Sequence, residues 1–232
     1  MTSAKHNVYA VRDSAEVATP FQRLIASGAS YLTDSELLAV RFGHPYRGVD
    51  PVEKAGRMLR EAGSLRGIIS ADRKSASAVA DIGPRRFALL QAALEITRRH
   101  YQQQLSTSPA LESPAATRNF LIAQLRDLPY EVFCLLTLDS RHRLIAFDEL
   151  FRGTIDGASV HPREVVRHAL QRNAAAVIFA HNHPSGIAEP SQADELITLR
   201  LKDALGLVDI RVLDHLIVGD SRCVSLAERG VI

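Results

Sequence analysis

The stretch from His181 to Asp194 (HNHPSGIAEPSQAD) concentrates the side-chain types that bind a metal ion. It follows an apolar run, Ala174 to Ala180, that reads as a buried strand leading directly into the first histidine. In extended chain, residues two apart point to the same side, so His181 and His183 can aim both imidazoles at one point. Asp194 is brought back by the turn between Pro184 and Pro190 onto the start of the next helix, where it can supply a third ligand. Two neutral imidazoles and one carboxylate leave zinc an open position for water, which separates a catalytic zinc from a structural one. One hydrolytic zinc per chain is the expectation. Two ordinary readings compete with it. A His-x-His pair can be two loop histidines, and Ser191-x-x-Asp194 also describes a helix N-terminus, with Ser191 as cap and Asp194 in the first turn. A first-turn aspartate can still face a metal, so capping does not exclude ligation.

The other titratable side chains offer less. His142 falls in a turn, and His161 and His168 lie before and on a helix, so solvated or local capping roles are expected. His215 lies in an apolar strand-like run and reads either as a satisfied core histidine or as a partner of a ligand. Cys134 and Cys223 lack ligand spacing and sit in apolar runs, as reduced core thiols of a cytosolic protein would.

Elements must hold these residues in place, and the 232-residue length allows one large or two ordinary domains. Hydrophobic residues make up 46% and charged residues 23%, values typical of a soluble globular chain. No apolar run is long enough to span a bilayer and no secretory h-region is visible, so no membrane partner and a cytoplasmic location are expected. Charge is uneven. Residues 1–104 carry 15 Lys and Arg against 10 Asp and Glu, whereas residues 105–232 carry 13 against 16. That split suggests two parts with different partners.

Residues 1–104 read as short helices. Thr33 and Glu36 form a capping box, and Asp50-Pro51 opens a helix running to Gly63. A further short helix covers 75–80, and a long amphipathic helix runs to about Gln103, with Leu89, Ala92, Ala93 and Ile96 on its inner face. The turn between these last two, from Asp81 through Gly83 to Arg85 and Arg86, resembles a helix-hairpin-helix, which aims backbone N–H groups and cations at phosphates. That resemblance implies weak, non-specific DNA binding through Gly83, Arg85 and Arg86. Asp81 departs from it, placing an acidic residue where the first glycine of the turn normally stands. The alternative is a packing unit with a solvated basic face. Residues 105–116, rich in Ser and Pro and following the Gln102–Gln104 run, read as a linker, with a helix capped from about Ser113 and running to about Asp127.

The rest alternates strand and helix. Strands are expected at Val132–Leu138 and Leu144–Leu150 as a hairpin, then a helix opened by Pro162, the strand before the metal loop, and a Ser191–Leu205 helix ended by Gly206. Strands follow at Ile210–Leu213, His215–Val218 and Cys223–Leu226. The fold class expected is α/β, a mixed sheet flanked by helices behind a small all-helical domain, with the metal loop at a strand's C-terminal end.

His-x-His-Pro, a serine ten residues after the first histidine and an aspartate three further on make up the JAMM signature of JAB/MPN metal hydrolases. With Glu149 to Thr154, Pro162 to Val166, Asp214 to Gly219 and Ala227 to Gly230, the chain from about residue 10 is similar to the RadC family, a bacterial branch of that metalloprotease-like, cytidine-deaminase-like fold. The resemblance implies zinc at His181, His183 and Asp194, a Ser191 that helps hold the reacting oxygen, and a catalytic glutamate just before the first core strand, at Glu131. Departures from the family fall at Asp81 and at residues 41–46. The activity implied is that of a zinc-dependent metallopeptidase or isopeptidase on a protein or peptide substrate. The alternative is a DNA-associated repair or processing factor whose MPN domain binds partners. A third reading, a noncatalytic scaffold, is disfavoured by the intact ligand set.

Overall fold

A computed structural model describes residues 18–43, 49–79, 81–109, 114–153, 160–220 and 222–232. Ser113 and half of the 41–46 departure, His44 to Tyr46, lie outside these residues. The chain forms two compact units, Met1–Leu90 and Gln91–Ile232.

Among the described residues the first unit is helical: α1 (Pro20–Ser27), a 3-10 turn at Ala29–Tyr31, α2 (Asp34–Phe42), α3 (Pro51–Ala62), α4 (Leu65–Ile69), α5 (Arg73–Ala78) and the start of α6 (Pro84–Thr107). Thr33 and Glu36 form the expected capping box. Asp50 caps α3 with Pro51 in its first turn, and Gly63 ends it in the left-handed region at φ 78°. Leu38, Ala55, Met58, Ile68, Ala76, Ile82 and Leu90 make the core. Sequence reading missed α1 and α4. The missed signal for α1 is its Thr19–Gln22 capping box followed by Pro20. Helix α5 starts two residues before the expected position because Asp72, not a later residue, caps it through the Ser75 amide.

The second unit holds α7 (Pro114–Leu125), β1 (Val132–Leu138), β2 (Leu144–Arg152), α8 (Pro162–Gln171), β3 (Ala176–Asn182), α9 (Gln192–Gly206), β4 (Arg211–Val218) and β5 (Cys223–Ser225). One five-stranded sheet has the order β2-β1-β3-β4-β5. It is mixed: β3 and β4 run parallel, joined by α9, and the other pairs are antiparallel. A parallel pair needs such a crossover, and the helix also covers a face of the sheet. Strands β1 and β3 are buried throughout, which explains their unbroken apolar sequences. One face packs Phe120, Leu121 and Leu125 of α7 against Leu136, Ile178 and Leu216, and the other packs Val165 and Ala169 of α8 and Leu201 and Leu205 of α9 against Phe133, Leu135 and Phe179.

Three expectations differ from what is found. The segment 105–116 is not all linker: α6 continues to Thr107, and Leu105 is fully buried in the α7-side core, an apolar contact that outweighs the Gln- and Ser-rich composition around it. Gly206 lies inside α9, and the reversal into β4 is made by Asp209 at φ 58°. The two strands expected around Asp214 are one, with a register shift between Val177 and Ile178 on its β3 partner. No helix among the described residues is long and apolar enough to cross a membrane.

Candidate metal centre

His181 and Asn182 end β3, and His183 begins the loop beyond it. The loop is tied back to the sheet by the His183 amide, which donates to the Val218 carbonyl at 2.9 Å, and by the Asp220 amide, which donates to the Gly186 carbonyl at 2.8 Å. Two glycines allow this close approach. Gly186 has φ 81°, and a Cβ there would meet the Asp220 carboxyl at 2.7 Å. A Cβ on Gly219 would sit 2.5 Å from the Gly186 carbonyl oxygen.

Helix α9 returns the third group. Ser191 caps it in a complete capping box: the Asp194 amide donates to Ser191 Oγ, while Asp194 Oδ2 accepts from the Ser191 amide and hydroxyl, both at 2.7 Å. The other carboxylate oxygen, Oδ1, faces His181 Nε2 at 3.2 Å. Asp194 takes part in the capping expected, through Oδ2, and its Oδ1 is left facing His181.

His181 Nε2 and His183 Nε2 are 3.0 Å apart, and Asp194 Oδ2 lies 3.8 Å from the latter. The tautomer of His183 follows from its other nitrogen. Nδ1 is 2.7 Å from the Ile187 carbonyl oxygen, which only accepts, so Nδ1 carries the proton and Nε2 presents a lone pair. His181 and Asp194 are buried, whereas the His183 side chain is 18% exposed, so the centre opens to solvent on the His183 side. Burial pushes the Asp194 carboxyl up, but the hydrogen bond and charge contributed by His181, together with the Ser191 hydroxyl and amide, outweigh it and hold the group well below the usual carboxylate range. A positive centre facing Oδ1, proton or metal, is what this site favours.

These residues fit a zinc ion. Ligands at ~2.0 Å in tetrahedral geometry stand about 3.3 Å from one another. The separations of 3.0 and 3.2 Å from His181 Nε2 to His183 Nε2 and to Asp194 Oδ1 lie close to that value, and one ligand atom from each of the three residues lies within 4.8 Å of the others. Among the described residues, this trio is the group of His, Cys, Asp or Glu side chains close enough to share an ion.

The remaining expected site residues fall as follows. Glu131 immediately precedes β1 and is half-buried; its carbonyl accepts from the Gly153 amide at 3.0 Å. In the β1–β3 ladder Phe133 is opposite His181, so continuing the register by two residues sets Glu131 across from His183. Phe133 packs on His215 at 5.5 Å between ring centroids, on the ligand side of the sheet, and alternation sends residue 131 to that side too. Ser191, expected to hold a reacting oxygen, has its single proton engaged by Asp194. Glu149 pairs with Arg152 at 2.8 Å.

Asn182, Thr198 and the full role of His215 were not read from sequence. Asn182 points away from its two histidine neighbours; its Oδ1 accepts from the Val132 amide at 2.9 Å and its Nδ2 donates to the Tyr130 carbonyl at 3.0 Å. His215 is fully buried against His181 (Nδ1 to Nε2, 2.8 Å) and against the Thr198 hydroxyl. Burial first, and the nearby His181 second, keep the His215 ring neutral, well below an ordinary histidine. A polar residue inside the His-x-His pair, and a threonine one helical turn after Asp194, are the signals that were there to find. Cys134 and Cys223 lie apart from the centre, and burial pushes the Cys223 thiol up to about 12.

In the helical unit, Asp81 takes the left-handed backbone (φ 70°) that a turn glycine would, and its carboxylate is bound by Lys54 at 2.7 Å. Arg86 donates to the Asp81 carbonyl at 2.7 Å and lies over the Phe42 ring. Gly83 and Arg85 are exposed. Arg41, Arg85 and Arg86 line a groove of about 870 Å³ between the end of α2 and the start of α6.

The site and sheet agree with what the chain is similar to. Residues 111–231 match the RadC-like JAB domain, and residues 11–88 match the UPF0758 N-terminal family. A UPF0758 protein of Halorhodospira halophila is 58% identical over 213 residues, covering 92% of this chain and 95% of its own length. One from Thioalkalivibrio sulfidiphilus is 57% identical over the same shares, and one from Shewanella oneidensis is 50% identical over 95% and 98%. A mixed sheet with a His-His-Asp group at the end of its third strand, matched over almost its whole length by these relatives, makes the chain a member of the UPF0758 family of RadC-like JAB-domain proteins.

Proposed function

We propose that this chain is a zinc-dependent hydrolase of amide bonds, a metallopeptidase or isopeptidase acting on a protein or peptide substrate. The observation that carries the reading is the convergence of His183 Nε2 and Asp194 Oδ1 on His181 Nε2, at 3.0 and 3.2 Å. His181, His183 and Asp194 would hold the ion, which when bound lowers the pKa of a water in its open position toward ~7 and polarises a carbonyl. Glu131, which a continued β1–β3 register would set across from His183, would take a proton from the attacking water and return it to the leaving amine. Asn182 holds the backbone on either side of Glu131 and so keeps that carboxylate at the mouth of the sheet. Ser191 secures Asp194; to stabilise an oxyanion its hydroxyl would exchange Asp194 Oδ2 for the substrate oxygen. Two unpaired cysteines support a reducing, cytoplasmic setting.

The test is substrate capture on zinc-loaded Glu131→Gln protein, followed by incubation of each captured protein with wild type. Cleavage by the zinc-loaded wild type, abolished by chelation and by Glu131→Gln, is the expected result. Captured proteins that stay intact with zinc-loaded wild type would overturn the reading.

A second reading concerns the helical unit, which we assign weak, sequence-independent DNA binding. The observation favouring it is the neutralised Asp81: its carboxylate faces Lys54, so the exposed Gly83 and Arg85 are left free of an acidic neighbour pointing at phosphate. Arg86, engaged by the Asp81 carbonyl, supports the turn and is not a free phosphate contact.

A further inference from the structure

The loop beyond His183 is held by the last part of the chain. The Gly186 carbonyl accepts from the Asp220 amide, and Ala188 is buried against Ile217 and Leu226, with Val231 and Ile232 packed on the same cluster. One residue further on, Glu189 accepts from both terminal nitrogens of Arg229, at 2.7 and 2.9 Å. A second cation, Arg222, stands 3.5 Å from Glu189 Oε2. The carboxylate of Glu195, beside Asp194 in the first turn of α9, also acts on the Arg229 charge, after Glu189. Ile187 lies between these anchors. Its carbonyl oxygen is 2.7 Å from His183 Nδ1, whereas its side chain is exposed and gives no hold of its own. The place of that carbonyl is therefore set by its neighbours. Ala188 has only a methyl group to bury, so the paired guanidinium and carboxylate supply the direction.

We propose that Glu189 and Arg229 are positioning residues for the metal centre: their ion pair clasps the loop to the C-terminal segment and holds the Ile187 carbonyl where it orients the His183 ring. The proposal rests on the metal-centre reading above and adds what sets the partly exposed member of that centre. An exposed ion pair between two mobile segments contributes little, because both side chains must be ordered to form it. Here both ends adjoin backbone that is already restrained. Pro190 confines Glu189 to extended geometry, and buried Ala188 fixes it from the other side. Arg229 sits in a turn closed by the Gly230 amide on the Ala227 carbonyl and the Val231 amide on the Leu226 carbonyl, both at 3.0 Å. A two-pronged arginine–carboxylate contact also fixes orientation, which a single contact does not. With the clasp open, the His183 ring loses its fixed partner and must be ordered again when an ion binds, at a cost in affinity.

The experiment uses the full chain and two readouts. The first is zinc affinity by competition with a chromophoric chelator, measured well below the melting transition of every variant. Where all molecules are folded, a loss of global stability alone leaves that affinity unchanged. Glu189→Gln and Arg229→Gln should each weaken zinc binding by about 5-fold, the most that a well-formed exposed pair supplies. The double variant should lose no more than either single one, since both remove the same contact. Arg229→Lys, which keeps the charge without the fork, should recover only part of the affinity. The second readout needs no metal: the Asp220 amide, seated on the Gly186 carbonyl, should exchange its hydrogen faster in both Gln variants than in wild type. The proposal is overturned if the single variants bind zinc as wild type does, if their losses add in the double variant, or if Asp220 exchange is unchanged. If wild type itself takes up no zinc, the metal-centre reading fails, while the exchange measurement still decides the clasp. Should a Gln variant not fold, Arg229→Lys decides both readouts.

Discussion

Asn182 brackets Glu131: its Oδ1 accepts from the amide of Val132 and its Nδ2 donates to the carbonyl of Tyr130, the two backbone groups that flank the glutamate. A residue placed between two candidate ligands therefore also holds the segment that carries the candidate base. Ladder register alone would set Glu131 only to within the freedom of a chain end, and a buried amide with its contacts made removes that freedom.

Glu131→Gln should keep its zinc and lose hydrolysis by ~10²-fold or more, since the base meets the ion only through water. Glu149→Gln should retain activity and lose only the exposed pairing with Arg152. Zinc content by elemental analysis and turnover of a confirmed substrate, measured on both variants, check this. Full activity in the Glu131 variant with none in the Glu149 variant would reverse the assignment.

Wild type should hold close to one zinc per chain after reconstitution, and His183→Ala should lose it. Two ligands would remain, too few for tight binding. Because His183 is the partly exposed member and makes its Nδ1 bond to the loop, its loss should leave the sheet intact. Far-ultraviolet circular dichroism alongside metal analysis separates lost ligation from lost folding. Zinc-free wild type would contradict the metal-centre reading.

Asp214 gives a pH dependence with a definite sign. Its carboxylate accepts from the His215 and Ala227 amides and from Ser225 Oγ, yet burial outweighs these contacts and raises its pKa from 3.8. The folded state therefore holds the proton more tightly than the unfolded chain. The stability this group contributes is complete below the unfolded pKa and is lost as pH rises through the folded one. Asp214→Asn lacks that loss, so the destabilisation it causes should shrink as pH rises from about 4 through the raised folded pKa. Urea unfolding of both proteins across that range checks it; a difference that grows with pH would contradict the assignment.

The parts of the fold that were legible in sequence are those where local and tertiary preferences agree. Val132–Leu138 is an unbroken apolar run because both faces of β1 are covered, and its bounds could be read directly. Helix α9 announced itself through Ser191 and Asp194, a capping box that coincides with the ligand turn. Helix α4, five residues around Gly67, has too little periodicity to stand out, and Leu105 gives no local hint that it is buried in the second unit's core. The site divides in the same way. The candidate ligands sit at short spacing and can be read, whereas Asn182 acts on a backbone fifty residues away and Thr198 on a strand reached only through the crossover. Sheet register decides those contacts, and register is not visible in one chain's spacing. Ser191 shows the limit from the other side: its cap was legible, and the capping box claims the proton that the oxygen-holding role would use.

Asp81 allows the DNA-binding reading to be tested by charge. At φ 70° it occupies a conformation that glycine adopts without cost, and its side chain neutralises Lys54. Asp81→Gly should relieve the backbone while releasing Lys54, two effects of about 1 kcal/mol or less that oppose one another in stability. In binding they do not cancel: one acidic group is removed and Lys54 loses its Asp81 partner, so affinity for duplex DNA should rise and its salt dependence steepen. Arg85→Ala should weaken binding equally on all sequences and reduce the slope of log K against log salt by about 1. Arg86→Ala should instead lower thermal stability, because its guanidinium closes the turn onto the Asp81 carbonyl and covers Phe42. Fluorescence anisotropy of a labelled duplex across a salt series, on the full chain and the three variants, makes the comparison. Binding that ignores salt, or an Asp81→Gly variant that binds no better than wild type, would leave the turn as a packing element of the helical unit.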